Sequence, residues 1–418
     1  MPASQSKLTP GLIRTLAQVQ DQRREVSIIV RYRPSWRIVR TRLAMPGIRH
    51  GYHYHLWPFA HMYVTVEALV RIELDPAVVV IYQDLPVTAY LDTSMSRIQV
   101  PRLWSEGLTG KGMRIAIIDS GVDAEHPDLK GRVTAVQDFT GEGPNDRHGH
   151  GTHCASIAAG SGAASGGEYR GAAPDAFIYS AKVLGSDGLG MMSDVMAGIE
   201  WAHDQGVHVI SLSLGSGGSD NSTDALGETC DAVVDEGIVV CVAAGNEGPN
   251  PGTICTPGSA RKVITVGAAT EEDQVATFSS RGPTADGRPK PDVVLPGVGI
   301  IGARARGTRM GTIVNQYYSS ASGSSMATPH AAGVCALLLQ AEPDLTPHQV
   351  KERLMSTAID LGADRNAQGT GRVDAWRALR SEGEVPQPSQ PEPSPGPTLG
   401  QGCLPALLRL LFWGRERP

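Results

Sequence analysis

The segment ArgIleAlaIleIleAspSerGlyValAsp (residues 114–123) joins a short apolar run directly to a polar turn. Uninterrupted apolar runs of this length are typical of strands that are buried on both faces, as in parallel sheets covered by helices. Asp119 stands where the run ends, so we expect its carboxylate at the carboxyl edge of a strand. On its own this position is weak evidence of function, because an aspartate after a strand usually forms a turn or caps a helix.

Further apolar runs repeat the pattern of residues 114–118 and alternate with stretches of helical character. The runs are residues 176–183, 207–213, 237–243 and 262–267, and the helical stretches are residues 194–203 and 221–236. This alternation predicts an α/β domain over about residues 100–380, with a doubly wound and mainly parallel sheet. In such a domain the functional site lies at the carboxyl ends of the strands.

The regions outside this domain have different patterns. The sequence predicts a polar, partly helical leader at residues 1–25. It predicts a small α+β module at residues 26–90, with strand patterns on either side of a helix. Residues 381–402 form a Pro-rich linker, and residues 403–418 are an apolar tail with flanking arginines. The tail could lie at a membrane interface or in a protein groove, or have no role.

Composition excludes some classes of function. The 418 residues carry a formal net charge of −6 without a basic stripe, so we expect no nucleic-acid partner. The six cysteines show no paired spacing of a zinc site, and the sequence does not fix their disulfide state. We find neither a signal peptide nor a run of 18 apolar residues. A cytoplasmic location is therefore the default, with an extracellular one as the alternative.

Three histidines lie close together in ArgHisGlyHisGlyThrHisCysAlaSer (residues 147–156). A metal cluster is one interpretation of His148, His150 and His153, but the segment has neither an HisGluXXHis arrangement nor paired carboxylates. The alternative is that one histidine acts as a general base, because an imidazole exchanges protons near neutral pH. We favour this second interpretation.

A serine-rich segment, SerAlaSerGlySerSerMetAlaThrProHis (residues 320–330), leads into a small-residue helix. Pro329 is compatible with the first turns of a helix, where backbone amides lack intrahelical acceptors. A serine at such a helix start lies beside free N–H groups that could stabilise a developing oxyanion. Without further context, Ser324 and Ser325 would be interpreted only as helix caps.

The order Asp, His, Ser supplies that context, because it is the order of the subtilisin triad. Residues 117–123, 150–155 and 323–330 resemble the aspartate, histidine and serine motifs of the subtilisin family. The resemblance implies Asp119 as the orienting carboxylate, His150 as the general base and Ser325 as the nucleophile. ValAlaAlaGlyAsnGluGly (residues 242–248) resembles the oxyanion-hole segment, which implies Asn246 as a side-chain donor.

The same resemblance extends to the substrate and to a metal. Residues 182–190 and 211–215 are similar to the two segments between which the family binds an extended peptide, which implies protein or peptide substrates. The implied substrate-binding residues are Gly188, Gly190, Ser213, Leu214 and Gly215. Asp128 matches a position that supplies a calcium ligand in many members, so a structural calcium ion is an expectation, with a simple hydrogen-bonding aspartate as the alternative. No cofactor is expected in catalysis.

Residues 26–90 resemble, more loosely, the inhibitory propeptide of the family, which implies a ferredoxin-like module that covers the active site and is removed by self-cleavage near Tyr90–Leu91. Two other readings compete with the peptidase. A catalytically inactive binding protein on the same scaffold conflicts with the intact triad motifs. An α/β-hydrolase esterase predicts a GlyXSerXGly elbow and the order Ser, Asp, His, which this chain lacks.

Overall fold

The computed structural model describes residues 6–9, 12–13, 16, 21, 23–33, 46–53, 59–83, 93–216 and 224–381. The chain divides into two compact units, residues 1–90 and residues 91–418. Each unit buries its own cluster of apolar side chains, so each has a separate hydrophobic core.

The described part of the first unit contains a four-stranded antiparallel sheet, a helix at residues 66–74 and helical backbone at residues 12–13 and 16. Its elements are β1 (Glu25–Tyr32), β2 (Ile48–His53), β3 (Phe59–Thr65), α1 (Val66–Leu74) and β4 (Val78–Gln83). The strand order β4-β1-β3-β2, in which all neighbours are antiparallel, is that of a ferredoxin-like sheet. Alternate residues such as Ile28 and Val30 point to one face, where they are buried with Leu69 and Ile72 of α1.

Part of the predicted leader packs with this module. Leu8 forms a parallel bridge to Ile81 of β4, and the amide of Ile81 donates to the carbonyl of Lys7 at 2.8 Å. Leu12 is fully buried in the core of the module. Lys7, Leu8 and Leu12 of the predicted leader therefore belong to the folded module.

The second unit is larger and consists of alternating strands and helices. Its strands are β5 (Arg114–Asp119), β6 (Val133–Asp138), β7 (Phe177–Lys182), β8 (Val209–Leu212), β9 (Val239–Ala243), β10 (Ile264–Ala269), β11 (Val293–Pro296), β12 (Ile300–Ala303), β13 (Thr312–Ile313) and β14 (Tyr318–Ala321). Its helices are α2 (Ser94–Arg97), α3 (Val100–Ser105), α4 (His150–Ala159), α5 (Met192–Asp204), α6 (Ala225–Asp235), α7 (Ser324–Ala341), α8 (Pro347–Ser356), α9 (Arg365–Gln368) and α10 (Ala375–Arg380).

The main sheet is parallel throughout, with the order β11-β10-β9-β8-β5-β7-β6. Helices α4 and α7 contribute to the core on one face, and α5 and α6 to the core on the other. The predicted doubly wound α/β fold is therefore confirmed. Strands β6 and β7 lie on one side of β5 and strands β8 to β11 on the other, so the carboxyl end of β5 is the switch point where a site is expected.

Helix α7 runs through the core of this unit, and its small residues permit close packing. Fifteen of its eighteen residues are buried. A Cβ atom on Gly333 would lie 2.5 Å from Cβ of Ala172 and 2.7 Å from the carbonyl oxygen of Ala158, the latter on α4. A larger residue at Gly333 would push α7 away from α4, which carries His150.

The predicted linker and tail, residues 381–402 and 403–418, lie outside the described residues except for Ser381. Within the part of the chain that the structure describes, no helix is both long enough and apolar enough to cross a bilayer.

A buried ion cluster ties the edge of the main sheet to α8. The ammonium group of Lys290 lies 2.6 Å from Oδ2 of Asp292, and that of Lys351 lies 3.1 Å from Oδ1. The amide of Thr265 on β10 also donates to Asp292 at 2.8 Å. Burial lowers the pKa of Lys290 to about 7, and the nearby Asp292 carboxylate opposes this effect. Below this pKa Lys290 is charged, and Asp292 then compensates two buried ammonium groups.

Below pH 7, where Lys290 is protonated, we predict that Asp292→Asn destabilises the protein by about 3–5 kcal/mol, because it leaves buried ammonium groups uncompensated. The measurement is the free energy of unfolding in urea, made in a Ser325→Ala background to prevent self-digestion. Asp235→Asn, which removes the exposed partner of Lys262, is the matched control and should change stability by less than about 1 kcal/mol. Equal effects of the two variants would contradict the prediction.

Candidate active site

Two elements of the second unit bring Asp119 and His150 into contact. Asp119 is the last residue of β5 and His150 the first residue of α4. Nδ1 of His150 donates to Oδ1 of Asp119 at 2.8 Å and lies 3.0 Å from Oδ2. A Cβ atom on Gly151 would lie 2.1 Å from the carbonyl oxygen of Gly121, so only glycine permits this approach of α4. Nε2 of His150 is thereby left for proton exchange.

The electrostatics of this pair favour a protonated imidazole. Burial by itself lowers the pKa of His150, but the charge of Asp119 outweighs this effect and raises the pKa well above 6.5. Asp119 is only 1% exposed, so water does not screen its carboxylate. The pair can therefore stabilise the imidazolium that forms when His150 accepts a proton.

The backbone of Ser325 is held by two side chains from other elements. Pro329 has no N–H group, so the carbonyl of Ser325, four residues earlier, lacks its usual partner within α7. The hydroxyl of Ser213 donates to this carbonyl at 2.9 Å, and the thiol of Cys154 donates to it at 3.4 Å. Burial raises the pKa of Cys154, which keeps this thiol a donor. Because Cys154 lies on α4, these contacts fasten α7 to the helix of His150.

The side chain of Ser325 is in a resting orientation. Its hydroxyl donates to the carbonyl oxygen of Ser213 at 3.0 Å. Because a hydroxyl carries a single proton, it must release this carbonyl before it can donate to Nε2 of His150. Catalytic hydrogen bonds are often loose without substrate, so this orientation is compatible with a nucleophile.

The side chain of Asn246 is oriented by Ser324. Oδ1 of Asn246 accepts from the amide of Ser324 at 2.8 Å and from its hydroxyl at 3.1 Å. With the oxygen bound, the NH₂ group of Asn246 remains as a free donor. The amide of Ser325 lies in the first turn of α7, where helical amides have no intrahelical acceptor. These two groups form a pair of donors suited to an oxyanion.

A cleft of about 610 Å³ adjoins His150. All five predicted substrate-binding residues line it: Gly188, Gly190, Ser213, Leu214 and Gly215. Leu184, Leu189, Met192 and Leu226 add apolar side chains to its wall. A Cβ atom on Gly188 would lie 2.9 Å from Nε2 of His148, so glycine keeps the entrance beside His150 open.

The three clustered histidines have different environments. Nε2 of His153 bonds the carbonyl of Ser319 at 3.0 Å, and burial lowers its pKa to about 4, so this histidine is neutral. His148 lines the cleft. Among the described residues, only Asp119, His150 and Cys154 bring three potential metal ligands within 4.8 Å of one another. Asp119 and His150 are hydrogen-bonded to each other, which fits a triad.

Asp128 is buried in a set of hydrogen-bond donors. Its Oδ2 accepts from the hydroxyl of Tyr318 at 2.7 Å, and its Oδ1 accepts from the amide of Ala164 at 2.8 Å. The guanidinium of Arg132 binds the Asp128 carbonyl. A donor on each carboxylate oxygen fits the alternative of a hydrogen-bonded aspartate.

The described cysteines are free thiols: Cys154, Cys230, Cys241, Cys255 and Cys335. Sγ of Cys241 lies 3.9 Å from Sγ of Cys335, which is a residue of α7, inside the core. The sequence did not fix the disulfide state of the cysteines, and among the described residues Cys241 and Cys255 are not bonded to each other.

Sequence reasoning missed Asp146 and did not foresee the supporting contacts made by the hydroxyls of Ser213 and Ser324. Asp146 binds the start of α4, and the hydroxyls of Ser213 and Ser324 hold Ser325 and Asn246. Asp146 had only a weak signal, because it lies three residues before Gly149, the position at which a capping aspartate is expected. The two serine hydroxyls had none, since their partners are distant in sequence.

A carboxylate, an imidazole and a serine at the carboxyl edge of a parallel sheet, with two donors for an oxyanion, define a serine hydrolase of the triad type. A model described as the subtilase family, Peptidase_S8, matches residues 110–374. The chain belongs to this family, and it is a serine endopeptidase.

Several relatives are similar over most of the chain. Serine protease AprX of Bacillus subtilis (strain 168) is 41% identical over 327 residues, which cover 72% of this chain and 74% of AprX. Subtilisin E of the same strain is 39% identical over 302 residues, which cover 71% of this chain and 74% of that protein. The crystal structure of a cold adapted subtilisin-like serine proteinase is similar with a TM-score of 0.52 and 31% identity, covering 64% of this chain and 88% of that one.

We predict that Asp119→Asn lowers kcat about 10⁴-fold, because the amide no longer fixes the imidazole and its imidazolium. The raised pKa of His150 places the acidic limb of kcat/KM above the usual imidazole range. Removing the carboxylate should move this limb to lower pH. The measurement is kcat/KM against pH with a chromogenic peptide.

Asp123→Asn is the control for this change, because Asp123 lies on the same loop and its carboxylate binds the amides of Glu125 and Arg306. It should leave kcat and the acidic limb unchanged. An acidic limb that stays in place in Asp119→Asn would show that Asp119 does not set the pKa of His150.

Proposed function

We propose that this endopeptidase is made as a latent precursor and cuts extended polypeptides with Ser325 as nucleophile, His150 as general base and Asp119 as orienting carboxylate. The observation that carries the assignment is the 2.8 Å contact of Asp119 with His150. Ser325 at the start of α7 and the free NH₂ group of Asn246 support it.

In the proposed reaction, Oγ of Ser325 attacks the substrate carbonyl carbon while Nε2 of His150 accepts the hydroxyl proton. The NH₂ group of Asn246 and the amide of Ser325 stabilise the resulting oxyanion. The intermediate then collapses, the C–N bond breaks, and His150 gives its proton to the leaving amine. Water then attacks the acyl carbon while Nε2 of His150 accepts its proton, the bond to Oγ of Ser325 breaks, and His150 returns the proton to Oγ. No step requires a metal or cofactor.

The substrate is proposed to bind as an extended strand. The segments at residues 188–190 and 213–215 line the cleft beside His150, and an extended peptide between them can form main-chain hydrogen bonds. Most of the cleft lining is apolar or glycine, so recognition depends on shape and main chain more than on charge. This supports proteins and peptides, rather than small esters, as substrates.

The first unit is proposed to be the inhibitory propeptide. Its ferredoxin-like strand order and separate core support a module that folds as an entity of its own. The division between the units follows Tyr90, and the predicted cleavage near Tyr90–Leu91 lies outside the described residues. The tail at residues 403–418, also outside the described residues, is proposed on composition alone to contact a membrane interface or a protein groove.

We predict that the full-length chain processes itself and that Ser325→Ala remains intact. The measurement is intact-mass and N-terminal analysis of both proteins after identical expression, together with hydrolysis of a chromogenic peptide. The wild type should lose a fragment ending near Tyr90, and the variant should show neither processing nor hydrolysis.

Ser322→Ala is the matched control, because Ser322 is exposed and its hydroxyl accepts from the amide of Gly299. It should process like the wild type. Processing of Ser325→Ala at the same site would reject self-cleavage, and peptide hydrolysis by that variant would reject Ser325 as the nucleophile.

A further inference from the structure

A buried carboxylate lies beneath the start of α4. Asp146 is 6% exposed, and both its oxygens are fully engaged. Oδ1 accepts from the amides of His148 and Gly149, at 3.1 and 2.7 Å, and from the hydroxyl of Ser120 at 3.0 Å. Oδ2 accepts from the amide of Thr152 at 2.9 Å and from its hydroxyl at 2.6 Å. One side chain thus receives five donors.

These contacts fix the beginning of the helix that carries His150. The position before His150 is Gly149, which has a φ of 105° and no side chain with which to cap α4. The first amides of a helix need acceptors from outside it, and a negative charge is favoured there. Asp146, three residues before Gly149, provides the acceptors and the negative charge. The orientation of the first helical residue, His150, therefore depends on Asp146.

The same carboxylate is linked to Asp119 through Ser120. The hydroxyl of Ser120 donates to Asp146 and accepts from the amide of Gly151 at 3.0 Å. The amide of Ser120 donates to Oδ1 of Asp119 at 2.7 Å. Asp146 is therefore connected to the end of β5 as well as to the start of α4. These are the two elements whose side chains must meet in the 2.8 Å bond of the triad.

We propose that Asp146 is a positioning residue that sets the geometry between Asp119 and His150. It acts through these two residues and does not contact the substrate, and the inference rests on their proposed roles in the triad. The competing explanation is that Asp146 only stabilises the helix. The two differ in what they predict, because a cap changes the stability of the fold, whereas a positioning residue changes kcat in molecules that remain folded.

The test is Asp146→Asn in the full-length chain, with rates normalised by titration with a serine-directed phosphonate. Asparagine has the same shape as aspartate, but its NH₂ group cannot accept hydrogen bonds. It would face N–H or O–H donors of the network and push them away. A displacement of about 1 Å is enough to lower a rate about 10²-fold, so kcat should fall by roughly this factor. The effect should fall mainly on kcat, with a smaller change in KM, because Asp146 reaches the cleft only through the amide of His148. The NMR resonance of the His150 Nδ1 proton should shift.

Asp374→Asn is the matched control. Asp374 is also a buried helix-capping aspartate, whose carboxylate accepts from the amide of Arg377 at 2.9 Å at the start of α10. This variant should be destabilised without any change in kcat or in the Nδ1 resonance. If Asp146→Asn behaves in the same way as Asp374→Asn, or raises KM at constant kcat, the proposal is overturned.

A further variant keeps the proposal testable if Asp146→Asn does not fold. Ser120→Ala removes the bridge but retains the cap, and it should lower kcat and shift the Nδ1 resonance; no change in either would overturn the proposal. Asp119→Asn, measured in parallel, separates the role of Asp146 from the triad assignment. If Asp119→Asn is fully active, the triad assignment fails. If Asp119→Asn is inactive and Asp146→Asn is fully active, only the role of Asp146 is overturned.

Discussion

The bond between Asp119 and Nδ1 of His150 joins the end of a central strand to the start of a buried helix. The surrounding structure makes this bond possible. Gly151 allows α4 to approach the turn after β5, and Gly333 allows α7 to pack against α4. Because protein interiors are close-packed, a larger side chain at either glycine would displace a helix that carries a triad residue. The abundance of small residues in these helices is thus a requirement of the site.

Pro329 also influences the site, through the backbone of Ser325. It frees the carbonyl of Ser325 from the hydrogen-bonding pattern of α7, and Ser213 and Cys154 bind that carbonyl instead. Ser213 belongs to the segment that lines the cleft, and Cys154 lies one turn after His150. These two hydrogen bonds fix the backbone of the nucleophile relative to the substrate-binding segment and to the helix that carries the general base. A hydroxyl at position 324 matters in the same way, because it orients Asn246.

Much of this arrangement could be predicted from the sequence. The apolar run ending at Asp119 indicated a strand of a parallel sheet, and the structure has β5 there, because such runs are buried on both faces. The contacts that support the site could not be predicted, since Ser213 and Ser325 are 112 residues apart and only the fold brings them together. For Asp128 a motif match was available but insufficient. The match to a calcium position does not specify the donors from Tyr318 and Ala164 that bind its carboxylate.

The most direct test of the triad is to locate a covalent label. The full-length protein would be treated with a peptidyl phosphonate that reacts with activated serines, and the modified residue identified by tandem mass spectrometry. The account predicts one adduct per active molecule, on Ser325, with activity lost in proportion to labelling. An adduct on another residue, or peptide hydrolysis that persists when Ser325 is fully modified, would contradict it.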